Sequence, residues 1–162
     1  MWKFVVSVNL ILKIKRLKNE KNIHKIGAVF YVLWGIIHVI GGSTILFQED
    51  SSLQIAMQAT AIPLGEFQEF SNSALHGILS YHAFNIVWFG IFAILVSVLL
   101  KWKNSAFGYW INLLVLSAIE LGLLFFLLIP GYMSWSDGGI GLGLFLLAAI
   151  FSTIGYKTSA QI

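Results

Sequence analysis

The chain has 162 residues, enough for one domain, and a composition of 58% hydrophobic against 10% charged residues excludes a soluble globule. The absence of Cys excludes disulfides, thiolate nucleophiles and Cys-ligated zinc or iron-sulfur centres. The net charge of +3 is not a nucleic-acid footprint, because the basic residues gather at one set of helix ends and no RNA- or DNA-reading motif accompanies them.

In chain order, residues 1–25 form a basic segment. Phe4 to Leu12 is apolar but covers only roughly 14 Å against a hydrocarbon core of about 30 Å, so it cannot span. It has no small-residue cleavage site, and Lys13, Lys15, Arg16 and Lys18 follow at once, which excludes a signal peptide. The expectation is an amphipathic helix over Trp2 to Lys21, lying on the cytoplasmic leaflet, with a disordered basic tail as the alternative. A first span is predicted at about 26–47, with Lys25 at its inner end. The stretch 48–80 carries Glu49, Asp50, Glu66 and Glu69 and no Lys or Arg, which makes it an outer loop. Within it, Leu53, Ala56, Met57 and Thr60 at helical spacing, a cap at Ser52 and a break at Pro63 and Gly65 predict a short surface helix.

The second span is predicted at about 81–100, with Ser73 an equally good helix start; Lys101 and Lys103 close it. A turn at Asn104 and Ser105 leads into the third span, about 106–129, which Pro130-Gly131 breaks. Tyr132, Trp135 and Asp137 mark an outer turn, and the fourth span, about 138–156, ends at Lys157. All ten Lys and Arg thus fall on one side of this reading, and five of the seven carboxylates on the other. Loops rich in Lys and Arg stay cytoplasmic, which orients the chain. The expected fold is all-α: a polytopic membrane protein whose domain at 26–157 is an antiparallel bundle of four transmembrane helices, with both termini cytoplasmic. A single Arg among ten basic residues points to an AT-rich bacterial genome, hence a plasma (inner) membrane.

In such a bundle the costly groups are side chains. His38 lies about 12 residues past Lys25 and Glu120 about 14 past Ala106, which sets both roughly 18 to 21 Å from the inner edge. An ionised carboxylate at that depth costs on the order of 3 kcal/mol on insertion scales, so Glu120 is expected to be protonated or paired, and His38 is the titratable partner at its level. Two readings follow: a proton-exchanging or ligand-binding pair, or interhelical hydrogen bonds that fix packing. Farther out, His82 and Asn85 share a face of the second helix, and with Asp137 they extend a descending polar series from the outer surface to the midplane. Gly35 and Gly42 lie on the stripe of His38, and Gly139 and Gly143 form a small-xxx-small pair; these four are the expected helix-packing residues.

No span holds a Lys or Arg, and no nucleotide, nucleophile-elbow or protease signature is present, so no catalytic or metal residues are assigned. The partners expected are the lipid bilayer and either a small-molecule ligand or a partner membrane protein, with no nucleic acid. The leading expectation is a non-enzymatic membrane protein whose outward-facing polar cavity binds or conducts a small neutral or cationic species with protons. A structural or accessory subunit is the first alternative and a haem- or quinone-dependent redox protein the second, although the residues themselves specify no cofactor.

Overall fold

Long runs of Ile, Leu, Val and Phe can satisfy their backbone polar groups in a bilayer only within helices, and the computed structural model holds four of them. It describes residues 22–47 and 73–159; the expected surface helix before residue 22 and the loop at 48–72 lie outside the described residues. Helix α1 is Ile23–Leu46 and α2 is Ser73–Leu99. A 3-10 turn at Lys101–Lys103 precedes α3, Ala106–Leu123, which runs on through a π-helical turn at Leu124–Leu128. Helix α4 is Trp135–Ser159. There are no strands among the described residues, and all four helices are long and apolar enough to cross a membrane, the pattern of a multi-pass membrane protein.

Turn chemistry sets the helix ends. Asn104 adopts a left-handed conformation (φ 55°) between α2 and α3, and the Ser105 hydroxyl accepts from the Gly108 amide at 3.3 Å to cap α3. After Pro130, Gly131 takes φ 80°, which a residue with a side chain rarely adopts. Helix α4 begins at Trp135, three residues earlier than the sequence reading, because Ser134 and Asp137 form a reciprocal cap. The Asp137 amide donates to the Ser134 hydroxyl at 3.3 Å, and that hydroxyl donates to the Asp137 carboxylate. Helix α2 likewise begins at Ser73, the earlier of its two candidate starts.

The burial pattern is that of a molecule whose solvent is lipid. Large apolar residues such as Ile40, Trp88, Leu114 and Phe126 lie on the outside, while Tyr31, Trp34, Asn112 and Glu120 are inside. Helix α1 packs most extensively on α2 and next on α4. Both contacts rest on glycine. A Cβ on Gly35 would stand 2.6 Å from the Gly90 carbonyl oxygen, one on Gly90 2.7 Å from that of Gly35, and one on Gly42 2.8 Å from that of Ala83. Toward the other end, Gly27 lies against the Ser152 and Ala148 backbone, and a Cβ on Gly155 would meet the His24 Cα at 2.7 Å. Gly139 and Gly143 differ. A Cβ on Gly139 would meet only the ring of Trp135 on its own helix, and one on Gly143 would meet nothing within 4 Å.

The start of α1, the turn after α2 and the end of α4 converge. His24 Nε2 donates to the Trp102 carbonyl at 3.2 Å, Asn104 donates to the Gly155 carbonyl at 3.3 Å, and the Lys25 ammonium lies 5.6 Å from the Trp102 ring centre.

Gly35→Val forces the α1–α2 contact apart and should lower stability by about 1–3 kcal/mol. Gly143→Ala enters open space with a better helix former and should be neutral or up to about 1 kcal/mol stabilising. Thermal unfolding of the two variants in detergent compares them directly, and equal losses would contradict the packing described.

Candidate functional site

Tyr31, Trp34 and His38 follow one stripe of α1 at helical spacing and face inward, with Tyr31 and Trp34 fully buried. A mid-span Trp must find a partner for its N–H, since lipid offers none. Here the indole Nε1 donates to Glu120 Oε1 at 2.5 Å, across the bundle from α1 to α3. The His38 ring stacks on the Trp34 ring, with centroids 3.6 Å apart and planes at 22°. Its Nδ1 lies 2.8 Å from the Trp34 carbonyl oxygen, an acceptor, so Nδ1 carries the proton. In a neutral ring the lone pair therefore sits on Nε2, which lies 4.0 Å from Glu120 Oε1.

Glu120 is 2% exposed, and its second oxygen, Oε2, has no hydrogen-bond partner. Helix α4 closes the site with Gly141: a Cβ there would stand a tight 3.2 Å from His38 Cε1 and an ordinary 3.6 Å from Glu120 Oε1, so the missing side chain chiefly makes room for the His38 ring. The π-helical turn starts just after Glu120, with the Leu124 amide on the Glu120 and Leu121 carbonyls. This wider turn lets Leu128, like Glu120, face the core. The result is a buried carboxyl group, held through one oxygen, with the second oxygen open to a proton or a ligand and an imidazole lone pair close by.

The structure thus brings His38 and Glu120 together. Asn85 is half-buried and His82 exposed on α2, and no hydrogen bond among the described residues joins either to the pair. Asp137 is exposed and engaged in the α4 cap. Gly35 and Gly42, expected as helix-packing residues, lie against the α2 backbone at Gly90 and Ala83. Sequence reasoning missed Trp34 and Gly141. The signal for Trp34 was its position: an indole well inside a span, four residues before a histidine. Among the described residues no group of three His, Cys, Asp or Glu side chains could hold a metal ion.

Comparison with known proteins finds no matching family model, no similar curated protein and no similar solved structure.

Trp34→Phe keeps an aromatic ring against His38 but removes the donor to Glu120. It should cost about 1–3 kcal/mol, whereas Trp88→Phe, on the exposed surface of α2, should cost about zero. Chemical or thermal unfolding in detergent measures both. Equal effects would deny the indole its role.

Proposed function

We propose that this chain is a non-enzymatic integral membrane protein that binds or passes a small neutral or cationic species, with proton exchange at His38 and Glu120. One observation carries the reading: a half-buried imidazole nitrogen and a buried carboxyl oxygen stand 4.0 Å apart, while the other carboxyl oxygen has no hydrogen-bond partner among the described residues. A protonated Glu120 beside a neutral His38 and an ionised Glu120 beside a charged His38 have the same net charge. A proton can therefore move between them without adding charge to the bilayer interior, which is the costly event there. A small cation could take the place of that proton at Glu120 Oε2, and a neutral hydrogen-bonding species could bridge it to His38 Nε2.

The proposed setting is an antiparallel four-helix bundle with both termini in the cytoplasm of a bacterium. Supporting the antiparallel order, Gly35 and Gly42 of α1 meet Gly90 and Ala83 of α2 in reverse sequence, and the start of α1 lies against the end of α4. Supporting the orientation, Lys25, Lys101, Lys103 and Lys157 belong to the converging ends, and Asp137 belongs to the opposite end of α4. Entry from outside is assigned to α2, where His82 is exposed and Asn85 half-buried on the way to the midplane. In this reading the site is reached from outside, and the apolar level of Leu116, Phe145 and Ala148 separates it from the cytoplasmic end.

The test uses the full chain in proteoliposomes holding a pH-sensitive dye, with a membrane potential imposed. Wild-type vesicles should acidify or alkalinise faster than empty ones. Glu120→Gln should abolish the difference while keeping the helical circular dichroism of the wild type. A Glu120→Gln protein as active as wild type, or a wild type no faster than empty vesicles, overturns the proposal.

A further inference from the structure

One turn inward from the core, the bundle changes character. The ring of Tyr31 is packed in a cluster with Ala93 of α2, Leu116 of α3 and Ala148 of α4. Four residues from each of these, toward the converging helix ends, stand Ser97, Asn112 and Ser152, all fully buried. Helical side chains lean toward the N-terminus of their helix, so the Tyr31 hydroxyl points into this same layer. Four residues beyond Ser97 is Lys101, also 0% exposed, its ammonium 5.1 Å from the Tyr109 ring centre. The four helices thus direct one buried polar side chain each into a single layer, and a lysine covers it.

The layer is far from satisfied. Asn112 Nδ2 donates to the Ser97 hydroxyl at 3.1 Å. The Tyr31 hydroxyl, Ser152 Oγ, Asn112 Oδ1 and Lys101 Nζ have no hydrogen-bond partner among the described residues. Three unpartnered buried polar atoms in one layer and a fourth on the lysine next to it are a concentration that an ordinary packed core does not show. The sign of an occupant follows from the charges. A buried ammonium needs a countercharge, and the two described carboxylates are Glu120, two turns outward from Asn112 and roughly 12 Å away along the axis, and Asp137 at the far end of α4. Glu120 is already engaged by Trp34. The Tyr31 and Ser152 hydroxyls can both donate, and a half-turn of the Asn112 amide, with Ser97 donating to its oxygen, presents its NH2 group as well.

We infer that this inner layer is a binding site for a small monovalent anion of the halide class, held by the Lys101 ammonium and the hydroxyls of Tyr31 and Ser152. The site shares no residue with the His38 and Glu120 pair and stands whether or not that pair exchanges protons. Its donors come from α1, α4 and the 3-10 turn, so anion binding also ties the inner end of the bundle together.

Chloride NMR line width on the full chain in detergent micelles tests it, with gluconate replacing chloride at constant ionic strength. Wild type should show a saturable excess line width that Lys101→Met removes. Tyr31→Phe, which deletes one hydroxyl and leaves the packed ring, should weaken binding roughly fivefold. If Lys101→Met does not fold, Tyr31→Phe decides. No saturable excess in the wild type, or binding in Tyr31→Phe equal to wild type, overturns the assignment.

Discussion

A hydrogen bond from the Trp34 indole to the Glu120 carboxyl ties α1 to α3 through the middle of the bundle, and the rest of the site is arranged around it. In hydrocarbon neither group can turn to water, so each must be buried with a partner or be the source of a large penalty. The single bond satisfies both the N–H and one carboxyl oxygen. It also sets Trp34 as the platform on which His38 stacks, and its backbone carbonyl selects the His38 tautomer. The Trp34 carbonyl thus leaves Nε2 as the open imidazole nitrogen, and Glu120 lies on that side of the ring. The missing side chain at Gly141 gives the His38 ring clearance beside α4, next to Glu120.

Packing in this chain cannot draw on the expulsion of water from between helices, because lipid is as apolar as the side chains that face it. What holds α1 to its neighbours is close approach: backbone against backbone at Gly35 and Gly90 on one flank and at Gly27 and Gly155 on the other. Most large apolar side chains, aromatic ones such as Trp88 and Phe126 included, are left outside for lipid, while Tyr31, Trp34, Asn112 and Glu120 are taken inward. Two polar levels result. One is the pair at His38 and Glu120, and the other is the hydroxyl, amide and ammonium layer near the converging ends, with the apolar level of Ala93, Leu116, Phe145 and Ala148 between them.

Helix number and turns were legible because their chemistry is local. Pro130-Gly131 stops α3, Asn104 adopts the conformation its type favours, and Lys residues mark the ends of the apolar runs. His38 and Glu120 were legible by cost alone, since ionisable groups are expensive in a span. Trp34 was not, because its importance lies in a partner 86 residues away that no spacing reveals. Glycine stripes told which faces were thin but not what lay against them. Gly35 and Gly143 look alike in sequence, yet one abuts a backbone and the other faces open space. Lys101 was read as an ordinary end marker, and its burial follows from a 3-10 turn that rotates it under the bundle instead of toward the headgroups. The cap at Ser134 and Asp137 was readable as a serine with an acid three residues on, and it moves the start of α4 to Trp135.

Solid-state NMR of the chain in lipid bilayers, with isotope-labelled tryptophan indole nitrogen and glutamate carboxyl carbon, tests the central bond most directly. The chain has five glutamates and six tryptophans, so Glu120→Gln assigns the carboxyl signal and Trp34→Phe the indole signal. A through-space correlation between the Trp34 indole nitrogen and the Glu120 carboxyl carbon, absent in Trp34→Phe, is the expected result. An indole that correlates instead with lipid chains, or a Glu120 carboxyl that correlates only with water, would contradict the account.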